Sequence, residues 1–297
     1  MDNLINFFNT IANKQPISTT DLKKVENVKK FIFEDLIPLV DRCDIYKDKH
    51  SVFEKIKETY SSWFNITRKP WLKNKCVIAF MGKFSAGKSS IINSILNQKL
   101  LPVDVTPSTA VPTYISYGSS LSFKVLDNDE DIKNIDFEVY KGLTKNELKN
   151  FPLSYFINYL VVEYGNKNLL NKSILDTPGI SSIDYKDTRN AIEVIQESDA
   201  IFWVIDINDG GITKDVQNFI KNYIINKPLY FILNKADTKP PKEQVAVLKK
   251  IDNTLTQNKI NYKTIIPYSA KDVKYTQNLK KLINNINKKK KMILILK

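Results

Sequence analysis

The sequence predicts an α/β fold: a mainly parallel central sheet flanked by helices and preceded by an N-terminal helical segment. Three observations carry this. The runs CVIAFM (76–81), SILD (173–176), AIFWVID (200–206), PLYFILN (228–234) and TIIPYS (264–269) are short and mostly apolar without a break, as in strands covered on both faces. Helical patterns lie between several of them, for example SIINSILN (90–97) and the segment Ile212 to Ile224, and such alternation implies parallel strands joined by crossover helices. Before residue 73 the pattern is helical only.

Taken in order, Leu22, Val25, Val28, Ile32, Leu36 and Leu39 recur at three- and four-residue steps behind the capping candidates Thr19 and Thr20. Pro38 is expected to kink or end that helix. Residues 2 to 13 are a further helical candidate. Phe53, Ile56, Tyr60, Trp63 and Phe64 mark another helix, stopping before Pro70. From Asn74 the strand pattern begins, and LSFKVL (121–126) and YLVVEY (159–164) are expected as antiparallel edge strands. The expected organisation is N-terminal helices over 1–72, an α/β domain over 73–287 and a basic, apolar tail over 288–297. The abrupt ending KKKKMILILK is read either as a frameshifted or split-gene terminus or as the end of a natural minimal chain that works with a second polypeptide.

With 42% hydrophobic residues over 297 positions, the chain can bury a sizeable core. Cys43 and Cys76 stand 33 positions apart and form no disulfide framework or zinc motif, which fits a reducing, cytoplasmic setting. His50 is the single histidine, so chemistry that needs paired histidines is excluded. The opening lacks a basic leader, and no apolar stretch approaches the ~18 residues of a membrane span. Peripheral attachment to the inner face of a membrane stays open. The net charge of +13 comes mostly from scattered lysines, with arginine only at 42, 68 and 189. Nucleic acid is not expected as a partner.

The chemistry is concentrated in GKFSAGKSS, Gly82 to Ser90, which fits Gly-x-x-x-x-Gly-Lys-[Ser/Thr] between a strand and a helix. In such a phosphate loop Gly82, Lys83, Phe84, Ser85, Ala86 and Gly87 turn backbone N–H groups toward phosphates, and the helix adds its positive end. Lys88 reaches the β- and γ-phosphates, Ser89 ligates Mg²⁺, and Ser90 is counted with the nucleotide-binding residues. Asp176-Thr177-Pro178-Gly179 ends a strand, placing a carboxylate for Mg²⁺ and the Gly179 N–H for the γ-phosphate. Asn234-Lys235-Ala236-Asp237 ends another: Asp237 can accept both guanine N1–H and the 2-amino group, which adenine cannot offer, and Lys235 packs along the base. Ser269, Ala270 and Lys271 end the last strand, with a backbone N–H for guanine O6. Motifs in this order at strand carboxyl ends describe a P-loop GTPase domain with GTP as substrate.

GKFSAGKSSIINSIL, LPVDVTPSTAVPT, ILDTPGI and ILNKAD together resemble the GTPase domain of bacterial dynamin-like proteins, relatives of dynamins and mitofusins, over Asn74 to Ile286. The resemblance implies that Thr109 binds Mg²⁺ and helps place the attacking water. It also implies that helices before the domain pack with helices after it into a neck or stalk. Ile180 stands where Ras-like enzymes carry a water-orienting glutamine, and Arg189 is weighed as a solvated residue rather than an arginine finger. The family's solution is head-to-head pairing of GTPase domains, with groups at Lys83, Phe84 and Ser85 ordering the switches, often with a monovalent cation (K⁺ or Na⁺). The catalytic expectation is therefore Ser85, Lys88 and Thr109, acting in a homodimer or with a second dynamin-like chain. Phe84 departs from the polar residue of classical dynamins. No stalk or lipid-binding tip follows the last motif, so lipid contact is expected to be indirect or peripheral. The alternatives are a regulatory or ribosome-associated GTPase switch, and a truncated nucleotide-binding fragment with no mechanical role.

Overall fold

A computed structural model gives the fold and describes residues 27–43, 48–103, 111–127, 132–144, 156–179 and 185–287. Among these, nine strands form one sheet: β1 (Cys76–Gly82), β2 (Thr113–Tyr117), β3 (Ser122–Asp127), β4 (Ile132–Ile135), β5 (Ile157–Tyr164), β6 (Lys172–Asp176), β7 (Ala200–Asp206), β8 (Leu229–Asn234) and β9 (Ile265–Pro267). Their order is β4-β3-β5-β2-β6-β1-β7-β8-β9. The block β6-β1-β7-β8-β9 is parallel throughout. Beyond it the direction reverses, because β2 runs antiparallel to β6 while β5 lies parallel to β2.

That arrangement corrects two expectations. YLVVEY, as β5, is an interior strand between β3 and β2, and the edge belongs to β4. LSFKVL, as β3, is antiparallel to both of its neighbours but also lies one strand inside the edge. Thr113–Tyr117, absent from the expected strands, pairs on both sides and is buried despite its polar Thr and Ser, because Ser116 Oγ donates to Trp71 O at 3.0 Å and Thr113 Oγ1 to Val111 O at 3.3 Å.

The helices are α1 (Ile37–Arg42), α2 (Lys49–Arg68), α3 (Lys88–Leu96), α4 (Phe137–Thr144), α5 (Tyr185–Glu197), α6 (Lys214–Tyr223), α7 (Pro241–Gln257) and α8 (Val273–Asn285). All seven residues of β1 are buried, and their two-residue period feeds two cores. Ile78 and Phe80 join Ile91, Ile92 and Ile95 of α3 and Leu279 of α8 on one face. Val77, Ala79 and Met81 join Val194 of α5, Phe219 of α6 and Ile251 of α7 on the other. An apolar run without polar alternation is what a strand covered on both faces requires.

The helical chain does not end at Pro38. A π-helical turn over Phe31–Leu36 precedes α1, with the Ile37 N–H bonded five residues back to Ile32 O. The amide that proline lacks falls where the five-residue spacing gives way to α-helix, near the N-terminus of α1, where a missing donor costs least. Helix α2 ends at Arg68, ahead of Pro70 as expected, and Phe33 meets Tyr60 edge-on at 5.5 Å. Phe31, Phe33 and Leu39 stay largely exposed. Residues 2–13, Thr19, Thr20, Leu22, Val25 and the 288–297 tail lie outside the described residues. No helix among the described residues is long and apolar enough to cross a membrane.

The linker between α2 and β1 is anchored by a buried charge cluster. Trp71 packs 5.9 Å from Tyr114, and Lys69 pairs with Glu197 at the end of α5 while lying 4.0 Å over the Tyr159 ring. Glu197 also accepts the Tyr114 hydroxyl. Burial, with Glu197 beside it, pushes the Tyr114 hydroxyl far above its ordinary value, so it stays a donor to that carboxylate.

Candidate functional site

The phosphate loop leaves β1 at Gly82 and enters α3 at Lys88. Besides Gly82 at φ 142°, two of its residues take positive backbone angles, Ser85 at φ 58° and Gly87 at φ 90°, and Gly87 caps the helix. The second of these needs glycine for space as well as angle, since a Cβ there would stand 2.3 Å from the Asn234 amide nitrogen. Lys88 is almost fully buried, and its ammonium donates to the carbonyls of Gly82 at 3.2 Å and Lys83 at 3.0 Å. Burial pushes it down to about 8 against the attraction of Asp176. The lysine is thus curled against its own loop.

Ser89 lies one residue into α3, and its hydroxyl donates to Asp176 Oδ2 at 2.6 Å at the end of β6. Oδ1 of Asp176 is buried without a partner, and burial pushes this carboxyl up to about 6 despite Lys88 nearby. An orphaned carboxylate oxygen beside a serine hydroxyl fits a Mg²⁺ ion, which takes few protein oxygens and fills its remaining positions with phosphate and water. Thr177 is fixed behind it by donating to Phe80 O at 2.8 Å. Gly179 lies against the phosphate loop, where a Cβ would come within 2.4 Å of Phe84 Cα, so any side chain would part the two motifs. Phe84 itself is 37% exposed at the rim.

The guanine motifs converge from β8 and β9. Asn234 is buried and donates to Ala86 O at 2.8 Å, which locks the Asn-Lys-Ala-Asp turn onto the phosphate loop. Ala236 N–H donates to Tyr268 O at 3.0 Å and so joins that turn to the chain entering Ser269. Asp237 pairs with Lys271 at 3.0 Å, and that ammonium, with the Ser269 hydroxyl, holds its carboxyl below the usual carboxylate range. Ser269 is buried and its Oγ accepts the Lys271 N–H at 3.2 Å, while Ala270 is exposed. Lys235 takes φ 59° and its ammonium meets Asp206 at 2.6 Å.

The structure thus brings Gly82 to Ser90, Asp176, Gly179, Asn234 to Asp237 and Ser269 to Lys271 to one end of the sheet. Phe84, Lys88, Ser89, Asp176, Gly179 and Lys235 line a cleft of about 330 Å³. Thr109 and Ile180 lie outside the described residues, and Arg189 is on α5. Sequence reasoning missed the loop after β7, where Asp206 pairs with Lys235 and Asp209 with Lys83 at 3.5 Å. Its signal was available: a carboxylate at the carboxyl end of a parallel strand, followed by Asp-Gly-Gly.

A parallel block of strands with a phosphate loop following β1, and a guanine-type Asn-Lys-Ala-Asp turn two strands away, defines a P-loop domain of the GTPase class. The model of the dynamin family matches residues 78–237, more than half of the chain. The chain belongs to the dynamin family, and this is its GTPase domain. Dynamin-like protein 2 of Campylobacter jejuni is 27% identical over 209 residues, covering 69% of this chain and 32% of its own. GTPase Der of Persephonella marina is 27% identical over 216 residues, covering 70% of this chain and 38% of its own. A solved structure described as "An oligomerised bacterial dynamin pair provides a mechanism for the long range sensing and tethering of membranes" has the same fold, with a TM-score of 0.58 at 19% identity, over 97% of this chain and 44% of that one. The chain spans half or less of the length of the curated relatives it matches.

Proposed function

We propose that this chain binds GTP with Mg²⁺, hydrolyses it, and serves as the GTPase module of a dynamin-like membrane-remodelling protein. The observation that carries the reading is the Ser89–Asp176 contact beside a buried Lys88, coupled through Asn234 to a guanine-type motif. Lys88 gives up the Gly82 and Lys83 carbonyls and takes phosphate oxygens, while the α3 N-terminus and the loop amides hold the rest. Ser89 and Asp176, with Thr109 by family resemblance, would hold Mg²⁺, which spreads phosphate charge when bound. Asp237 selects guanine, with Lys271 released from it to the base side. Ser269 and Ala270 frame the O6 position.

Turnover is accelerated by self-association, in a homodimer or with a second dynamin-like chain. Ile180 has no polar atom to orient water, so the ordering group has to come from elsewhere. Phe84 presents a half-open apolar surface at the rim, beside Lys83 and Ser85, where a second domain would cover the nucleotide. Ser85 and a monovalent cation, K⁺ or Na⁺, are the groups assigned to ordering water in that closed pair. GTP turnover per molecule should rise with protein concentration, and Lys88→Ala and Thr109→Ala should each abolish it. Flat specific activity over a hundredfold concentration range would remove the self-association mechanism; variants matching wild type would leave an inert nucleotide-binding fragment.

The likeness to GTPase Der, together with the net charge of +13, supports a second reading as a regulatory or ribosome-associated switch. Co-sedimentation with anionic liposomes against RNA binding at graded salt separates the two, since phosphate contacts to RNA give a steep salt slope.

A further inference from the structure

Asp206 closes β7, and the sheet register sets it directly opposite Asn234, the first residue of the guanine motif. Its two carboxylate oxygens have divided tasks. Oδ1 accepts from Asn208 N at 2.9 Å and from Asn208 Nδ2 at 3.0 Å, which fixes the turn after β7, and Asn208 Nδ2 continues to Thr238 Oγ1 at 3.3 Å. Oδ2 faces the Lys235 ammonium at 2.6 Å. The carboxylate is mostly covered, at 16% exposure, while the lysine is 41% exposed. Burial alone would raise this carboxyl; the Lys235 and Asn208 bonds outweigh it and hold it low, so it is ionised wherever the domain is folded near neutral pH.

Lys235 is also constrained from its backbone. Its φ of 59° and ψ of 33° are left-handed, and its carbonyl accepts from Thr238 Oγ1 at 2.7 Å. With the ammonium tethered to Asp206 and the backbone pinned, the four-carbon stem is held between two fixed ends beside the cleft whose wall Lys235 joins. A free lysine side chain loses much rotamer freedom when a ligand packs on it, and a tether made before binding removes that cost in advance. The polar partners of the Asp206 carboxylate are Asn208 and Lys235, whereas Lys88 and Ser89 bond Gly82, Lys83 and Asp176.

We propose that Asp206 is a positioning residue for base recognition: it holds Lys235 stretched as a preformed rail for the guanine ring and contributes nothing to phosphate binding. This rests on the guanine-nucleotide reading and deepens it. Asp206→Asn keeps an oxygen to accept from Asn208, so the turn survives while the charge on Lys235 is lost. Calorimetric titration of the full chain with GDP and with inorganic tripolyphosphate, which has no base, tests it. Asp206→Asn should weaken GDP roughly fivefold, the effect of losing one partly exposed ion pair, and leave tripolyphosphate unchanged. Lys235→Met, which retains the stem but not the charge, should weaken GDP by a similar factor, and adding Asp206→Asn to it should cost nothing more. Unchanged GDP binding in Asp206→Asn, equal loss of both ligands, or additive effects in the double variant would each overturn the proposal. Wild-type protein that binds tripolyphosphate but not GDP would overturn the guanine reading beneath it, and wild-type binding of GDP with an indifferent Asp206→Asn overturns the positioning role alone.

Discussion

The Ser89 hydroxyl donates to Asp176 Oδ2 at 2.6 Å while Oδ1 of the same carboxylate is buried with no partner. A buried, half-satisfied carboxylate is unfavourable by itself, and a cation bound at this point would relieve it. Chelating Mg²⁺ should therefore weaken wild-type GDP affinity roughly tenfold or more. Asp176→Asn should erase that metal dependence and raise the metal-free protein's stability by roughly 1–3 kcal/mol. Calorimetry with and without chelator, and thermal melts of the apo variants, read both effects. A variant that is less stable than wild type without metal would contradict this account.

Lys88 makes a pH-dependent contribution of definite sign. Burial takes its ammonium from 10.5 to about 8, so between those values the unfolded chain binds more protons than the folded one. Stability from this group accordingly rises with pH across that window, and the penalty is greatest below pH 8. Relative to Lys88→Met, wild type should gain roughly 3 kcal/mol between pH 7 and 10.5 in chemical denaturation without nucleotide. A difference independent of pH would mean the ammonium is not buried in solution.

Gly87 holds the phosphate loop against the guanine motif. An alanine Cβ would stand 2.3 Å from Asn234 Nδ2, at a φ of 90° that a side chain strains to adopt. Gly87→Ala should cost roughly 1–3 kcal/mol and displace Asn234 from Ala86 O. Because the two halves separate together, GDP and tripolyphosphate binding should fall in parallel, unlike the base-selective loss expected at Asp206.

Glu197 is the acceptor at the centre of the Lys69, Tyr114 and Tyr159 cluster. Lys69 and Glu197 are 8% and 14% exposed, so removing one strands the other in a dry site. Glu197→Ala should lower unfolding stability by about 3–5 kcal/mol, the loss expected when one partner of a buried pair is removed. Replacing both with Glu197→Leu and Lys69→Met should recover much of it. Denaturant melts of the three proteins provide the check.

Strands whose apolar runs face two cores were legible because their chemistry is one-dimensional: AIFWVID is apolar at nearly every position, and β7 occupies Ala200–Asp206. The phosphate loop and the guanine turn were equally legible, since each is a short contiguous stretch. Thr113–Tyr117 was not, because its Thr, Ser and two Tyr residues look polar until Trp71 and the neighbouring strands satisfy them. YLVVEY could not show from its own letters which two strands would flank it. The π-helical turn before Pro38 was hidden too, as it depends on where one missing amide falls within a bonding ladder.

What the sequence determined by itself was the class of ligand chemistry, because glycines, a lysine, a hydroxyl and carboxylates at set spacings suit phosphate and guanine wherever the chain places them. What only the tertiary structure decided was which charges meet. Asp206 with Lys235, Asp209 with Lys83, and Glu197 with Lys69 are separated by 29, 126 and 128 positions, and nothing local to any of those residues selects its partner. The first two pairings follow from strand order: β7 lies between β1 and β8, so its carboxyl end delivers carboxylates to both motifs at once.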